Sequence, residues 1–155
     1  MHSLLQTAIG GFNRVAILGC GSVLRADDAA GTMIAERLEG LQGRAQAFAG
    51  YSAPENLTGE IKRFSPDIVL VIDAIDLGVE PGEVRVIELD EIGGVSFSTH
   101  MLPLKIIIEY LRQETGAEVV LLGIQVSSIE FMQKMTEAVR ATVDAIVDSL
   151  EALLV

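Results

Sequence analysis

The sequence predicts an α/β fold: a three-layer α/β/α sandwich around a five-stranded, mostly parallel, twisted sheet with one antiparallel edge strand. Three observations predict it. Short apolar runs alternate with stretches of helical period along the chain. The run Ile68-Val69-Leu70-Val71-Ile72 is apolar at every position, as a strand covered by helices on both faces must be. The 155 residues, half of them hydrophobic, suffice for one domain and its core. That domain spans 1–155, with residues 1–13 as an N-terminal extension.

Taken in order, Val15 to Leu18 forms a buried first strand that ends in Gly19-Cys20-Gly21. Asp27-Asp28 opens a helix whose buried stripe is Met33, Ile34, Leu38 and Leu41. Ala45 to Ala49 is a weak second strand. Ser52 and Glu55 are spaced as a capping box, ahead of a helix with Leu57, Ile61 and Phe64 on one face. Ile68 to Ile72 is the central strand and ends at Asp73. Pro81-Gly82 turns the chain into Glu83 to Glu88, whose charges suit an edge. Pro103 suits the first turn of a helix that buries Leu104, Ile107, Ile108 and Leu111. Val119 to Ile124 is the fifth strand. Thr136 caps a last helix that buries Val139, Val143, Ile146, Val147 and Leu150.

Composition removes several function classes. There are 22 acidic against 11 basic residues, a net charge of −11. Such a balance repels phosphate backbones and anionic lipid, so neither nucleic acid nor a membrane surface is expected as a partner. No apolar run is long enough to cross a bilayer. Met1 to Arg14 lacks the pattern of a signal peptide. Cys20, the one cysteine, has no partner for an internal disulfide, which fits a reducing cytoplasm.

In a parallel sheet, ligands bind beyond the carboxyl ends of the strands. That rule points to the loop after Gly19, to Asp73 and to the loop around His100. Gly19-Cys20-Gly21 is no dinucleotide turn, because position 24 is Leu and no acidic residue ends the second strand. Ser52, Asp73 and His100 stand in the chain order of an α/β-hydrolase triad. The strained turn is incomplete, however: Pro54 replaces its second glycine, and Ser52 has a role as a helix cap.

Asp28, Asp73 and His100 remain. Two carboxylates and an imidazole suit a borderline divalent ion such as nickel or zinc and leave coordination positions open. Each also has an ordinary structural role available: Asp27 and Asp28 as helix caps, Asp73 as a strand-end carboxylate, His100 as a loop residue. For Asp27 the cap is preferred. His100 lies just before a helix start, whose positive end favours the neutral ring that a metal needs.

Around these residues the chain resembles the NiFe-hydrogenase maturation endopeptidases, and among them the branch that processes the hydrogenase 3 large subunit. The likeness runs from about Arg14 to the C-terminus. It rests on the stretch from Gly19-Cys20-Gly21 through Asp27-Asp28 to Gly31, and on Ser52-Ala53-Pro54-Glu55-Asn56. It continues through Val71-Ile72-Asp73-Ala74-Ile75-Asp76-Leu77-Gly78, Pro81-Gly82-Glu83, Thr99-His100-Met101-Leu102-Pro103-Leu104 and Leu122-Gly123-Ile124-Gln125. The resemblance implies that Asp28, Asp73 and His100 are the metal-contacting and catalytic residues. It implies that they sense nickel already inserted in a large-subunit precursor. The nickel is then supplied by the substrate, with no permanently bound cofactor, and the C-terminal extension is removed afterwards. A cytoplasmic monomer is expected.

Two positions depart from the family pattern. Ser22 stands where Asn is usual, and Ala29 where Gly is usual, adding a methyl where substrate backbone could approach. Cys20 is read as packing and not as a nucleophile. With no activated Ser or Cys evident, water is the expected attacking group, with a carboxylate or a metal-polarised water as base. Asp76 either supports Asp73 or is a turn residue before Gly78. Two other classes stay open: a metallopeptidase carrying its own zinc, and a non-catalytic nickel-binding maturation chaperone.

Overall fold

A computed structural model describes residues 1–88 and 101–155. The elements in chain order are α1 (His2–Ile9), β1 (Val15–Cys20), α2 (Ala30–Arg37), β2 (Ala45–Tyr51), α3 (Thr58–Phe64), β3 (Ile68–Ile75), β4 (Val84–Ile87), α4 (Met101–Thr115), β5 (Glu118–Gln125) and α5 (Glu137–Leu154). Short 3₁₀ turns, Ala26–Ala29 and Pro54–Leu57, precede α2 and α3.

The strands form one sheet in the order β2-β1-β3-β5-β4. All pairs are parallel except β4 with β5, which is antiparallel at the edge. Side chains of a strand alternate between faces, and here the alternation divides two cores. Ile17, Leu70, Ile72 and Leu122 pack with Leu5 and Ile9 of α1, Ile34 of α2 and Val143 and Ile146 of α5. Leu18, Val69, Val71 and Leu121 pack on the other face with Ile61 of α3 and Leu104, Ile108 and Leu111 of α4. Helices therefore cover both faces, and β1 and the first five residues of β3 are buried throughout.

From β1 the chain passes to β2 on one side and then to β3 on the other. The connections thus diverge between the carboxyl ends of β1 and β3. Such a switch point leaves a crevice that no crossover connection closes. Gly31 sets how near α2 comes to that crevice. A methyl there would lie 2.1 Å from the Ile72 carbonyl oxygen and 2.5 Å from that of Cys20, so only glycine permits the approach.

Several elements extend beyond the sequence expectation. β1 continues through Gly19 and Cys20, and β2 through Gly50 and Tyr51. β3 continues past Asp73, because Asp73 still pairs with Gly123 and Ile75 with Gln125. The N-terminal extension contains α1, whose Leu5 and Ile9 are fully buried. The Ser52 cap does not form. The turn begins at Ala53 with Pro54 at its first position, and no side chain caps it. Ser52 stands one residue too early for that role.

Candidate active site

Asp28 ends up at the crevice through its own turn. Ala26, at the start of the 3₁₀ turn, adopts φ +49°, a left-handed conformation unusual for alanine. This reverses the chain after β1. The Asp28 carboxylate then accepts the Ser22 backbone N–H at 2.8 Å. Gly21, at φ +129°, lies so close that a methyl there would sit 1.7 Å from the Asp28 carbonyl oxygen. The β1 loop and the turn are thus folded directly onto one another.

Asp73 arrives by a different route. It continues the row Val69, Val71 on the α3–α4 face of β3, and is the first polar residue of that otherwise apolar row. Burial pushes its carboxyl well above the usual carboxylate range, the negative charge of Asp28 pushes it further, and the Ala74 backbone N–H offsets part of the rise. Both residues line one open cleft of about 690 Å³. Among the described residues neither carboxylate belongs to an ion pair.

The cleft wall also holds Cys20, Ser22, Arg25, Tyr51, Ser52 and Glu55, with Pro103, Leu104 and Ile107 of α4. Cys20 is 4% exposed and belongs to the α3–α4 core. Burial first, then the charges of Asp73, Asp28 and Glu55, lift its thiol well above the ordinary value. A thiol held protonated in this way is packing and not a nucleophile. Tyr51 reaches the cleft through a left-handed residue at the end of β2, φ +53°. Arg25, Tyr51 and Glu55 were not singled out for the site from the sequence. The carboxyl-end rule that located Asp73 applies equally to Tyr51, which ends β2 on the far side of β1.

Asp27 is not a helix cap. Its carboxylate is fully buried and accepts the backbone N–H groups of Ser127, Ser128 and Thr136 at 2.8, 3.0 and 2.7 Å, plus the Thr136 hydroxyl at 2.9 Å. Its own N–H donates to the Ser128 carbonyl. Burial acts to raise its pKa, but the four donors outweigh burial and hold the carboxyl below the usual range. Asp27 thereby ties the turn that carries Asp28 to the β5–α5 loop. Thr136 stands at the N-cap of α5 as expected, yet its hydroxyl serves Asp27 and not the helix.

Asp76 accepts the Gly78 N–H and a Gln125 side-chain N–H, both at 3.2 Å, which is the turn role. Ala29 is 4% exposed and sits in the core shared with α2 and α5, away from the cleft wall. Its methyl is therefore a packing group and does not obstruct a bound chain. Ser22 does line the cleft, and its hydroxyl accepts the Leu24 N–H at 3.3 Å. His100 lies outside the described residues, as does any triad or metal set that depends on it. Among the described residues no three His, Cys, Asp or Glu groups form a metal cluster. Asp28 and Asp73 offer hard oxygen donors with no ion-pair partner among the described residues, a donor type that suits a divalent ion.

Comparison with known proteins gives concordant matches. The family model HycI, hydrogenase maturation protease, matches residues 34–153. The hydrogenase 3 maturation protease of Escherichia coli is 35% identical over 87% of each chain. The crystal structure of a NiFe-hydrogenase maturation protease, HycI from Thermococcus kodakarensis, superposes with a TM-score of 0.90 at 32% identity, covering 97% of this chain and 98% of that one. The solution structure of the endopeptidase HycI from Escherichia coli gives 0.80 at 33% identity over 90% of each chain.

Proposed function

This chain belongs to the hydrogenase maturation protease family and is an endopeptidase, and from that premise we propose that it removes the C-terminal extension of a NiFe-hydrogenase large-subunit precursor after nickel has been inserted. The observation that carries the reading is the meeting of Asp28 and Asp73 in one cleft at the switch point of the sheet. Two carboxylates without an ion-pair partner among the described residues repel one another. A dication brought by the precursor relieves that repulsion and gives a nickel-loaded substrate an affinity that a nickel-free one lacks. In this reading nickel is part of the substrate, and His100 completes the contacts.

Docking through the metal holds the scissile bond beside the same carboxylates, and the gain is one of proximity. Asp73 has the altered environment of a proton-transferring group. Burial and the neighbouring Asp28 make its carboxyl harder to ionise while the cleft is empty, and a bound dication would favour the carboxylate form that a general base requires. Water is the attacking group, because Cys20 is buried and held protonated. Ser52 borders the cleft without a capping role, so the test must include it.

The open wall admits a polypeptide from solvent, and we place the enzyme in the cytoplasm as a monomer. No helix among the described residues is long and apolar enough to cross a membrane. The deciding experiment is cleavage of nickel-loaded and nickel-free precursor by wild type, Asp28→Asn, Asp73→Asn, His100→Ala and Ser52→Ala. Wild type cleaves only the loaded form, Ser52→Ala resembles wild type, and the other three lose activity. Equal cleavage of both precursors sinks the nickel-sensing reading. Stoichiometric zinc that survives purification and chelation points instead to an enzyme that owns its metal.

A further inference from the structure

The rim of the cleft carries exposed apolar side chains that packing does not explain. Val23 and Leu24 in the loop after β1 are each 51% exposed, and in the β5–α5 loop Ile129, Phe131 and Met132 are 46%, 62% and 67% exposed. The two loops adjoin, since the Met132 backbone N–H donates to the Leu24 carbonyl at 2.7 Å. Ile129 lines the cleft itself, so the exposed apolar group begins at the cleft wall and continues in the loop that carries Phe131 and Met132.

Scattered surface hydrophobes need no explanation, but a contiguous group held rigid does. These loops are held. Asp27, fully buried, fixes Ser127, Ser128 and Thr136 on either side of the exposed group. The Ser128 hydroxyl accepts the Glu130 N–H at 3.3 Å. Met132 is maintained in a left-handed conformation, φ +64°, with its side chain directed to solvent. Backbone strain of that kind gathers at ligand clamps.

We propose that Leu24, Ile129, Phe131 and Met132 form a docking surface for an apolar segment of the precursor polypeptide, next to the part that enters the cleft. The proposal rests on the function given above. The occupant follows from continuity: a chain seated at Asp28 and Asp73 passes over Ile129 as it leaves the cleft, and Phe131, Met132 and Leu24 lie beyond. A preformed apolar anchor contributes binding that is the same in the ground and transition states. Its loss raises KM and leaves kcat unchanged.

The test measures kcat and KM on nickel-loaded precursor for wild type, Phe131→Gln, Leu24→Gln and Met132→Gly, with thermal melts and sedimentation of each protein. Met132→Gly removes the side chain while relieving the strained backbone, so it keeps its stability. Each variant is expected to raise KM about tenfold at unchanged kcat, the effect of losing one interface anchor. Unchanged KM in stable variants overturns the docking surface while leaving the proteolytic function intact. An inactive wild type, by contrast, defeats the function itself. A wild-type dimer that Phe131→Gln dissociates with no change in KM assigns the surface to a second copy and also overturns the proposal.

Discussion

The Asp27 carboxylate accepts both the backbone N–H and the hydroxyl of Thr136, at 2.7 and 2.9 Å, across 109 positions of sequence. Two residues that no local pattern connects therefore determine how the turn bearing Asp28 meets the α5 end of the fold. Replacing Asp27 by Ala leaves three N–H groups and a hydroxyl without their acceptor, at a cost of about 3 kcal/mol. Asp27→Asn retains one acceptor oxygen and loses less. The depressed pKa gives the sign with pH. The stabilisation is fully present above the unfolded carboxylate pKa of about 3.9 and is lost as pH falls through the lower folded value. Urea melts of wild type and Asp27→Ala from pH 7 to pH 2 check this, and the gap between them should narrow at the acid end.

Asp73 has the opposite dependence. Its folded pKa is raised, so the folded state holds its proton more tightly than the unfolded chain does. Stability falls as pH rises from about 3.9 through the folded value, because ionisation is then paid in the native cleft. Asp73→Asn, similar in volume, removes that penalty. The variant is expected to match wild type near pH 4 and to exceed it increasingly as pH rises, until the folded carboxyl ionises, while kcat/KM falls roughly 100-fold or more through loss of proton transfer. A stability difference independent of pH would show that Asp73 ionises freely.

Ser52→Ala separates two roles of one hydroxyl. Without a cap to lose, its stability should stay within about 0.5 kcal/mol of wild type. Cleavage should persist if water, as proposed, and not Ser52 attacks the peptide bond. Abolished cleavage in a folded Ser52→Ala protein, together with phosphonate labelling of wild type, would reinstate a serine triad.

Added divalent ions should stabilise the isolated protein through Asp28 and Asp73. A cation bound only by the folded state adds about 2.7 kcal/mol at a hundredfold excess over Kd. Lower pH weakens the effect, as protons compete for the same oxygens. Thermal melts with nickel, zinc and magnesium should show smaller shifts for Asp28→Asn than for wild type. Equal shifts in the two proteins would place the ions elsewhere.

Much of the fold was legible because buried parallel strands are apolar throughout, as in Ile68 to Ile72. Their ends were not, since Gly19, Cys20 and Asp73 look like loop residues until a partner strand continues the ladder beside them. The helix α1 was missed because its eight residues bury only two large side chains, and packing against α5 rather than propensity holds it. The meeting of Asp28 with Asp73 follows from the rule for strand ends, and the structure places both in one cleft. The capping box at Ser52 misled because Pro54 starts its turn one residue later than the pattern requires. Asp27 misled for another reason: a local reading offers a helix end, whereas the true donors are 100 to 109 residues away.

That separation affects the order in which the protein is made. The turn carrying Asp28 leaves the ribosome early, but the donors that hold its neighbour Asp27 are synthesised 100 to 109 residues later. Closing so long a loop is entropically costly until the intervening sheet has formed. A nascent chain that has not reached Thr136 therefore contains both cleft carboxylates but lacks the brace that sets one against the other. Proteolytic competence is therefore expected only once the β5–α5 loop and the start of α5 have been made.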